Sequence, residues 1–179
     1  MFVEARALMA ETLRPLVIVG AGGFGREVAW LVEDINRTCP TWDLLGFADD
    51  QASGQTVEGY PILGDRSWLV NLSPRPWVVC SMGDPRVRKQ VVDSLAEHGF
   101  QFATLVHPSV CMSEFVKIGP GSVICAGTVL TTNVTIGRHA ILNLGCRIGH
   151  DSVLGDFASL MPGTNIAGEV QVGTGCYFG

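Results

Sequence analysis

The chain lacks the features that mark nucleic-acid-binding and membrane proteins. It has 179 residues, with 12 Lys and Arg against 17 Asp and Glu, and its formal net charge is −5. Such a chain carries no positive field that would attract nucleic acid or an anionic membrane. No apolar run reaches the roughly 18 residues that a membrane-spanning helix requires. We therefore expect no nucleic-acid partner and no membrane partner.

Paired cysteine motifs and a secretory leader are also missing. The six cysteines form no CxxC pair, and Cys146 and Cys176 fall at positions of a repeat (described next) that otherwise hold small residues. This pattern indicates packing residues rather than disulfides. Charged residues interrupt the first fifteen positions, where a signal peptide would place a basic stretch and then an apolar one. We expect a reduced, cytoplasmic protein.

What the sequence does have is a six-residue repeat in its C-terminal half. Every sixth residue there is aliphatic or Phe, the residue two places earlier is small or β-branched, and glycines recur every eighteen residues. Three hexads make one coil of a triangular parallel β-helix, with a short strand on each wall and a turn at each corner. The repeated apolar residues are Ile118, Ile124, Leu130, Ile136, Leu142, Ile148, Leu154, Leu160, Ile166, Val172 and Phe178.

Upstream of His107 the pattern changes, because strands and helices alternate there. Asp65 and Asp84 are the expected helix caps, and 59–64 is expected to be a turn-bounded connection. The alternation predicts a small Rossmann-like parallel sheet with covering helices. The predicted strands are 16–19, 43–48, 77–81 and 101–106, and the predicted helices are 26–35, 66–70 and 85–98. We expect an N-terminal extension over 1–15, a Rossmann-like domain over 16–106 and a β-helix over 107–179.

A glycine-rich motif lies at the first junction between a strand and a helix. Gly20, Gly22 and Gly25 satisfy GxGxxG, which lets backbone amides approach a phosphate at a helix N-terminus. Asp49 and Asp50 close the next strand, where an acidic residue holds a ribose hydroxyl or a base edge. The motif indicates phosphate or nucleotide binding. The alternative is that the glycines only shape a tight turn.

The size of this first segment limits which ligands it can bind. About 100 residues make half a dinucleotide fold at most, so a single nucleotide or a nucleotide-linked sugar fits better than NAD. An NAD-linked oxidoreductase stays an alternative, although no residue suits hydride chemistry. Arg88 is a candidate phosphate ligand, and a solvated helix face is its equally weighted alternative. The predicted nucleotide-sugar-binding residues are Gly20, Gly22, Gly23, Phe24, Gly25, Asp49, Asp50 and Arg88.

Among the four histidines, His150 stands out because a carboxylate, Asp151, follows it directly. An imidazole that titrates near neutrality and is oriented by a carboxylate makes a general base. An exposed histidine beside an aspartate is also common without a catalytic role. His98 and His107 are interpreted as structural, and His139 as a solvated residue in a corner turn.

The eighteen-residue period gives His150 a neighbour. Residue 168 should lie one coil along, and it is a glycine; its exposed amide would suit the oxyanion of an acyl transfer. A zinc β-helix of the carbonic anhydrase kind is an alternative with little support. It needs three histidines, including a pair about five apart, whereas His139 and His150 are eleven apart.

With both halves taken together, the chain resembles the PglD/NeuD-type sugar acetyltransferases from about residue 16 to residue 179. In that family an N-terminal nucleotide-sugar-binding domain precedes a left-handed β-helix. The motifs that carry the resemblance are VIVGAGGFGRE (17–27), GFADD (46–50), GYPILG (59–64), MGDPRVR (82–88), HPS (107–109) and NLGCRIGHD (143–151).

The resemblance implies an acetyl-CoA-dependent acetyltransferase that acts on a nucleotide-linked amino sugar without a metal. A histidine matching His150 is the general base, supported by the acidic residue that Asp151 matches. The glycine matching Gly168 offers its amide to the thioester carbonyl, and Asn143 matches an asparagine that lines the same site. In the family, the donor lies between the β-helices of adjacent subunits in a homotrimer.

Two departures from the family pattern stand out. Ser159 occupies the position where a family member has a second histidine near the donor, so we expect changed donor contacts there. Gly179 falls in mid-coil, where the family continues for another coil or two, so we expect a truncated β-helix. N-acetylation of a 4-amino sugar is the favoured activity. The alternatives are O-acetylation of the sialic-acid type and a non-catalytic nucleotide-sugar-binding protein.

Overall fold

A computed structural model describes residues 13–50 and 54–179. Residues 1–12, which form most of the predicted N-terminal extension, lie outside the described residues. The described part of the first half contains three helices and five strands. The helices are α1 (Gly23–Thr38), α2 (Arg66–Val70) and α3 (Pro85–Glu97). The strands are β1 (Arg14–Val19), β2 (Trp42–Ala48), β3 (Thr56–Val57), β4 (Tyr60–Gly64) and β5 (Trp77–Cys80).

The five strands form one sheet in the order β3-β4-β2-β1-β5. β1 runs parallel to both β2 and β5, β2 runs parallel to β4, and β3 is antiparallel to β4. Leu16, Val17 and Ile18 in β1, which lies between β2 and β5, have no exposed surface, as a strand covered on both faces requires. The predicted Rossmann-like parallel sheet is therefore confirmed for β4, β2, β1 and β5, and the antiparallel edge strand β3 makes the sheet mixed.

Two strand predictions in this half are wrong. Residues 59–64 are not a plain connection, because β4 pairs with β2 and buries Ile62 in the same core cluster as Phe47. Residues 101–106 do not form a strand of this sheet, to which only a bridge between Val78 and Phe102 joins them. The chain leaves the sheet there because its next residues already pair within the β-helix.

The helix starts follow the predicted capping chemistry. The Asp65 carboxylate accepts from the Trp68 amide at 2.7 Å at the start of α2. Asp84 accepts from the amides of Arg86 and Val87 at the start of α3, a pattern that satisfies otherwise unpaired N–H groups. α1 begins at Gly23, inside the glycine motif and three residues earlier than predicted. The described part of the chain contains no helix that could span a bilayer.

The second half is a parallel β-helix built from two-residue strands at six-residue spacing. They lie on three walls, each of which is a parallel sheet that stacks one strand per coil. The first wall holds β6 (Leu105–Val106), β9 (Val123–Ile124), β12 (Ile141–Leu142), β15 (Ser159–Leu160) and β18 (Tyr177–Phe178). The second wall holds β7 (Cys111–Met112), β10 (Val129–Leu130), β13 (Arg147–Ile148) and β16 (Asn165–Ile166). The third wall holds β8 (Lys117–Ile118), β11 (Thr135–Ile136), β14 (Val153–Leu154) and β17 (Gln171–Val172).

The repeated aliphatics fill the interior of this prism, and the first wall carries a second apolar face. Leu105, Val123 and Ile141 point outward from that wall, yet they are fully buried in one cluster with Val28 and Leu31 of α1. Burying an aliphatic side chain stabilises by about 1.5–3 kcal/mol before conformational entropy is subtracted. The N-terminal domain is therefore docked on the first wall of the β-helix.

Candidate active site

His150 lies at the corner between the second and third walls, directly after β13 and before β14. Its Nδ1 is 2.8 Å from Oδ2 of Asp151, and the other carboxylate oxygen accepts from Asn133 Nδ2 at 3.1 Å. The hydrogen bond from His150, followed by that from Asn133, lowers the pKa of Asp151. An ionised Asp151 favours the His150 tautomer with its proton on Nδ1. The imidazole, 58% exposed, then carries its lone pair on Nε2.

Glu169 joins this pair, and the sequence reasoning missed it. It lies eighteen residues after Asp151, which in turn lies eighteen after Asn133, and all three backbones have a positive φ of 54–60°. Ligating atoms of His150, Asp151 and Glu169 lie within 4.8 Å of one another at the surface. The eighteen-residue spacing alone would have found Glu169. Among the described residues this group holds a single histidine, where the zinc alternative calls for three.

Gly168 lies directly against the His150 ring, as the eighteen-residue period predicts. A Cβ built on Gly168 would fall 2.5 Å from Nε2 of His150, closer than any side chain tolerates. The next residue, Glu169, donates its amide to the carbonyl of His150 at 2.7 Å. The backbone around Gly168 is therefore held at contact distance from the Nε2 end of the imidazole.

Asn143 and Ser159 lie elsewhere on the β-helix. Asn143 follows β12 at the corner between the first and second walls, where its Oδ1 accepts from the Leu144 amide at 2.7 Å. Ser159 is fully buried in the first wall and donates its hydroxyl to the carbonyl of Gly83 at 2.8 Å. The hydroxyl of Ser159 is therefore enclosed between the two domains, and a role of Ser159 at the donor site stays a prediction.

The residues predicted to bind the nucleotide sugar, apart from Arg88, lie at the carboxyl ends of β1 and β2 and at the start of α1. Gly22 caps α1, and Gly23 and Phe24 lie in its first turn. A Cβ on Gly25 would fall 2.2 Å from the carbonyl oxygen of Gly20, so the helix approaches the strand end as closely as glycine permits. Above this turn lies a cavity of about 270 Å³, lined in part by Gly20, Asp49, Asp50, Arg66 and Met82.

The two acidic residues of this cavity have different partners. Asp49 accepts from the Ala21 amide at 2.7 Å and so holds the glycine turn. Asp50 accepts from Nε of Arg66 at 2.7 Å and from its backbone amide at 3.1 Å. The side-chain bond to Arg66 is the largest cause that lowers the pKa of Asp50. Arg66, the second residue after the GYPILG motif, is a cavity residue that the sequence reasoning missed.

Two further expectations are corrected by burial. Arg88 is 1% exposed and directs its guanidinium at the β-helix. The interpretation of Arg88 as part of a solvated helix face is therefore wrong. Its guanidinium is also not directed at solvent, where a phosphate ligand would approach. His139 is not solvated either. Its ring stacks on Phe157 at 5.1 Å and meets the edge of Phe102 at 4.7 Å. Burial lowers its pKa to about 4. Both side chains serve the contact between the domains.

Comparison with known proteins places these features in one family. Residues 15–95 match the PglD N-terminal domain family. The GDP-perosamine N-acetyltransferase of Escherichia coli O157:H7 is 29% identical over 163 residues, which span 90% of this chain and 74% of that protein.

Solved structures extend the likeness over both domains. WeeI from Acinetobacter baumannii AYE superposes with a TM-score of 0.81 at 30% identity, over 90% of this chain and 76% of that one. A histidine-to-asparagine variant of perosamine N-acetyltransferase from Caulobacter crescentus, in complex with CoA and GDP-perosamine, superposes with a TM-score of 0.82 at 28% identity, over 91% and 76%. The parallel β-helix predicted from the hexads is confirmed, and so is the left-handed β-helix that the family resemblance implied. The chain belongs to the PglD/NeuD-type family of sugar acetyltransferases.

Proposed function

We propose that the protein transfers an acetyl group from acetyl-CoA to the amino group of a nucleotide-linked amino sugar, with a 4-amino sugar as the favoured acceptor. The observation that carries this proposal is the His150–Asp151 pair, set against the backbone of Gly168 on an exposed corner. A histidine was replaced in the Caulobacter enzyme bound to CoA and GDP-perosamine, which supports a histidine-dependent reaction. The bacterial relative is an N-acetyltransferase, which favours N- over O-acetylation.

In the proposed reaction, the acceptor amine attacks the thioester carbonyl while Nε2 of His150 removes its proton. Asp151 stabilises the imidazolium through Nδ1 and keeps the ring in place. The Gly168 amide stabilises the oxyanion of the tetrahedral intermediate. When the intermediate collapses, the carbon–sulfur bond breaks, and His150 returns the proton to the departing thiolate of CoA. No metal takes part in this proposal.

The nucleotide part of the acceptor would lie in the cavity above the glycine turn. The α1 N-terminus favours negative charge there, and Asp49 and Asp50 are the proposed contacts for the nucleoside. His150 lies at the prism corner opposite the first wall, on which the N-terminal domain docks. The N-terminal domain of one chain is therefore docked on the side of the prism opposite its own His150. A homotrimer in which one subunit's cavity serves its neighbour's His150 resolves this separation.

The test is thiol release from acetyl-CoA with a panel of GDP-, UDP- and dTDP-linked 4-amino sugars. We expect turnover with at least one sugar, and a decrease of about 10²-fold or more in His150→Asn and His150→Ala. His98→Ala is the matched control, because His98 is exposed at the end of α3. Product mass spectrometry distinguishes an amide from an ester. Nucleotide-sugar binding without thiol release would favour the non-catalytic alternative, and full activity in both His150 variants would exclude the base.

A further inference from the structure

Arg88 is a buried cation that joins the two domains. It leaves α3 one turn after the Asp84 cap, is 1% exposed and has no carboxylate partner among the hydrogen bonds of the described residues. Its guanidinium instead donates to oxygens on both sides of the domain junction. The acceptors are the carbonyls of Met82 (2.5 Å), Gly83 (3.1 Å), His139 (2.9 Å) and Phe157 (2.7 Å) and the hydroxyl of Ser159 (2.8 Å).

The guanidinium remains charged in this setting. Burial lowers the pKa of Arg88 to about 10, well above neutrality. A buried cation is tolerated only when its donors are satisfied, and removing the side chain would leave several enclosed carbonyls without a partner. The fork of five N–H groups suits this geometry in a way that a lysine ammonium does not. The contact is thus specific to arginine rather than to positive charge.

Arg88 is connected to the nucleotide cavity indirectly, by hydrogen bonds to the short segment between β5 and α3. Met82 and Gly83, whose carbonyls it holds, lie in that segment, and Met82 lines the cavity. The preceding residue, Ser81, donates its hydroxyl to the carbonyl of Gly20 in the glycine turn at 2.9 Å. Ser159 adds a second link, because its hydroxyl donates to the carbonyl of Gly83. One wall of the cavity is therefore tied to the β-helix.

We propose that Arg88 is a positioning residue that, with Ser159, fixes the segment at Met82 and Gly83 relative to the β-helix. Its role is to hold the acceptor cavity at a constant distance and angle from the acetyl-transfer corner of the trimer. The expected effect on the acceptor KM rests on the proposed function. The expected effect on the mobility of the Met82–Gly83 segment rests on the hydrogen bonds alone. A merely cohesive contact would lower stability and leave the acceptor KM unchanged.

The kinetic test compares Arg88→Met and Arg88→Lys with Arg86→Met, a control on the same helix whose side chain is 89% exposed. We expect Arg88→Met to raise the KM for the nucleotide sugar about tenfold and to change the KM for acetyl-CoA less than twofold. Arg88→Lys should fall between wild type and Arg88→Met. An Arg88→Met variant that folds and keeps the wild-type acceptor KM would overturn the proposal.

A second test needs neither turnover nor a known sugar. Hydrogen exchange of the peptide over 81–85 is measured in wild type and in Ser159→Ala, a small change that removes one link and should fold. We expect exchange at least about threefold faster in Ser159→Ala, and weaker binding of GDP or UDP by calorimetry. Unchanged exchange and unchanged nucleotide binding would overturn the positioning role. A wild type without turnover would refute the proposed function while leaving this test intact.

Discussion

At Gly168 a single hydrogen atom in place of a side chain sets how closely two coils approach beside the candidate base. The His150 ring lies over that position, with Nε2 2.5 Å from where a Cβ would be. Every larger residue must displace either the imidazole or the coil beneath it. Since the ring is also bonded to Asp151, displacement of the ring costs the hydrogen bond that fixes its tautomer. The identity of residue 168 is thus part of the geometry of His150.

Gly168→Ala is expected to lower kcat/KM for acetyl transfer by about 10²-fold, because a misplacement of about 1 Å has that effect on a positioned catalytic group. Circular dichroism and thermal melting should show a folded protein. Gly173→Ala is the matched control, since its Cβ meets only the Cys176 sulfur at an ordinary 3.6 Å. Equal activity in the two alanine variants would show that the ring position does not limit the reaction.

At the scale of the repeating element, the hexad phase could be predicted, but the packing of the corner residues His139 and Phe157 could not. Inward residues such as Leu130, Ile148 and Leu160 are buried as predicted, since the period fixes which side chain faces the interior. The corners require a positive φ every six residues, which the sequence meets with several residue types. His139 and Phe157 adopt it at 53° and 61°, at a cost for bulky side chains. Their stacking against the other domain is a tertiary effect that no local pattern shows.

This corner is expected to make stability depend on pH below neutrality. Burial, followed by Arg138 and Arg88, lowers the pKa of His139 from 6.5 to about 4. The folded state therefore favours the neutral ring, and the unfolded state binds the proton first as the pH falls. Stability is complete above about pH 6.5, declines between pH 6.5 and 4, and loses on the order of 3 kcal/mol over that window.

Urea unfolding at pH 7, 5.5 and 4 measures the effect in wild type and His139→Phe, which keeps a ring in the stack and removes the titration. As the pH falls, the unfolding free energy of the wild type should decrease more than that of His139→Phe, so the variant becomes relatively more stable. His98→Ala controls for an exposed histidine and should follow the wild type. Parallel pH profiles for wild type and His139→Phe would contradict the assignment.

At the scale of the whole molecule, the sequence showed two segments but not how they meet. The outward residues Leu105, Val123 and Ile141 are apolar in the sequence, yet only the tertiary structure shows that they cover α1. Arg88 contacts Ser159 across 71 positions, and no period relates one domain to the other. The His150, Asp151 and Gly168 cluster was predictable because the eighteen-residue period relates Gly168 to His150, and Asp151 is the next residue in the sequence. The contacts between the domains were not.

The arrangement of the two domains leads to a prediction about mixed oligomers. If one subunit's cavity serves another subunit's His150, two inactive variants should restore activity to each other. His150→Ala lacks the base, and Gly22→Phe obstructs the glycine turn. The phenyl ring should be tolerated by the fold, because a Cβ on Gly22 has nothing within 4 Å and its φ of −71° suits any residue.

The two variants are denatured, mixed in equal amounts and refolded together, and thiol release is compared with that of each variant refolded alone. A site needs a subunit with an intact His150 and a neighbour with an intact cavity. Random assembly supplies each with a probability of one half, and therefore restores roughly a quarter of wild-type activity. If cavity and base act within one chain, every site in the mixture carries one defect and no activity returns. Light scattering on the mixture checks that trimers have formed. A mixture that forms trimers but releases no thiol would refute the shared site.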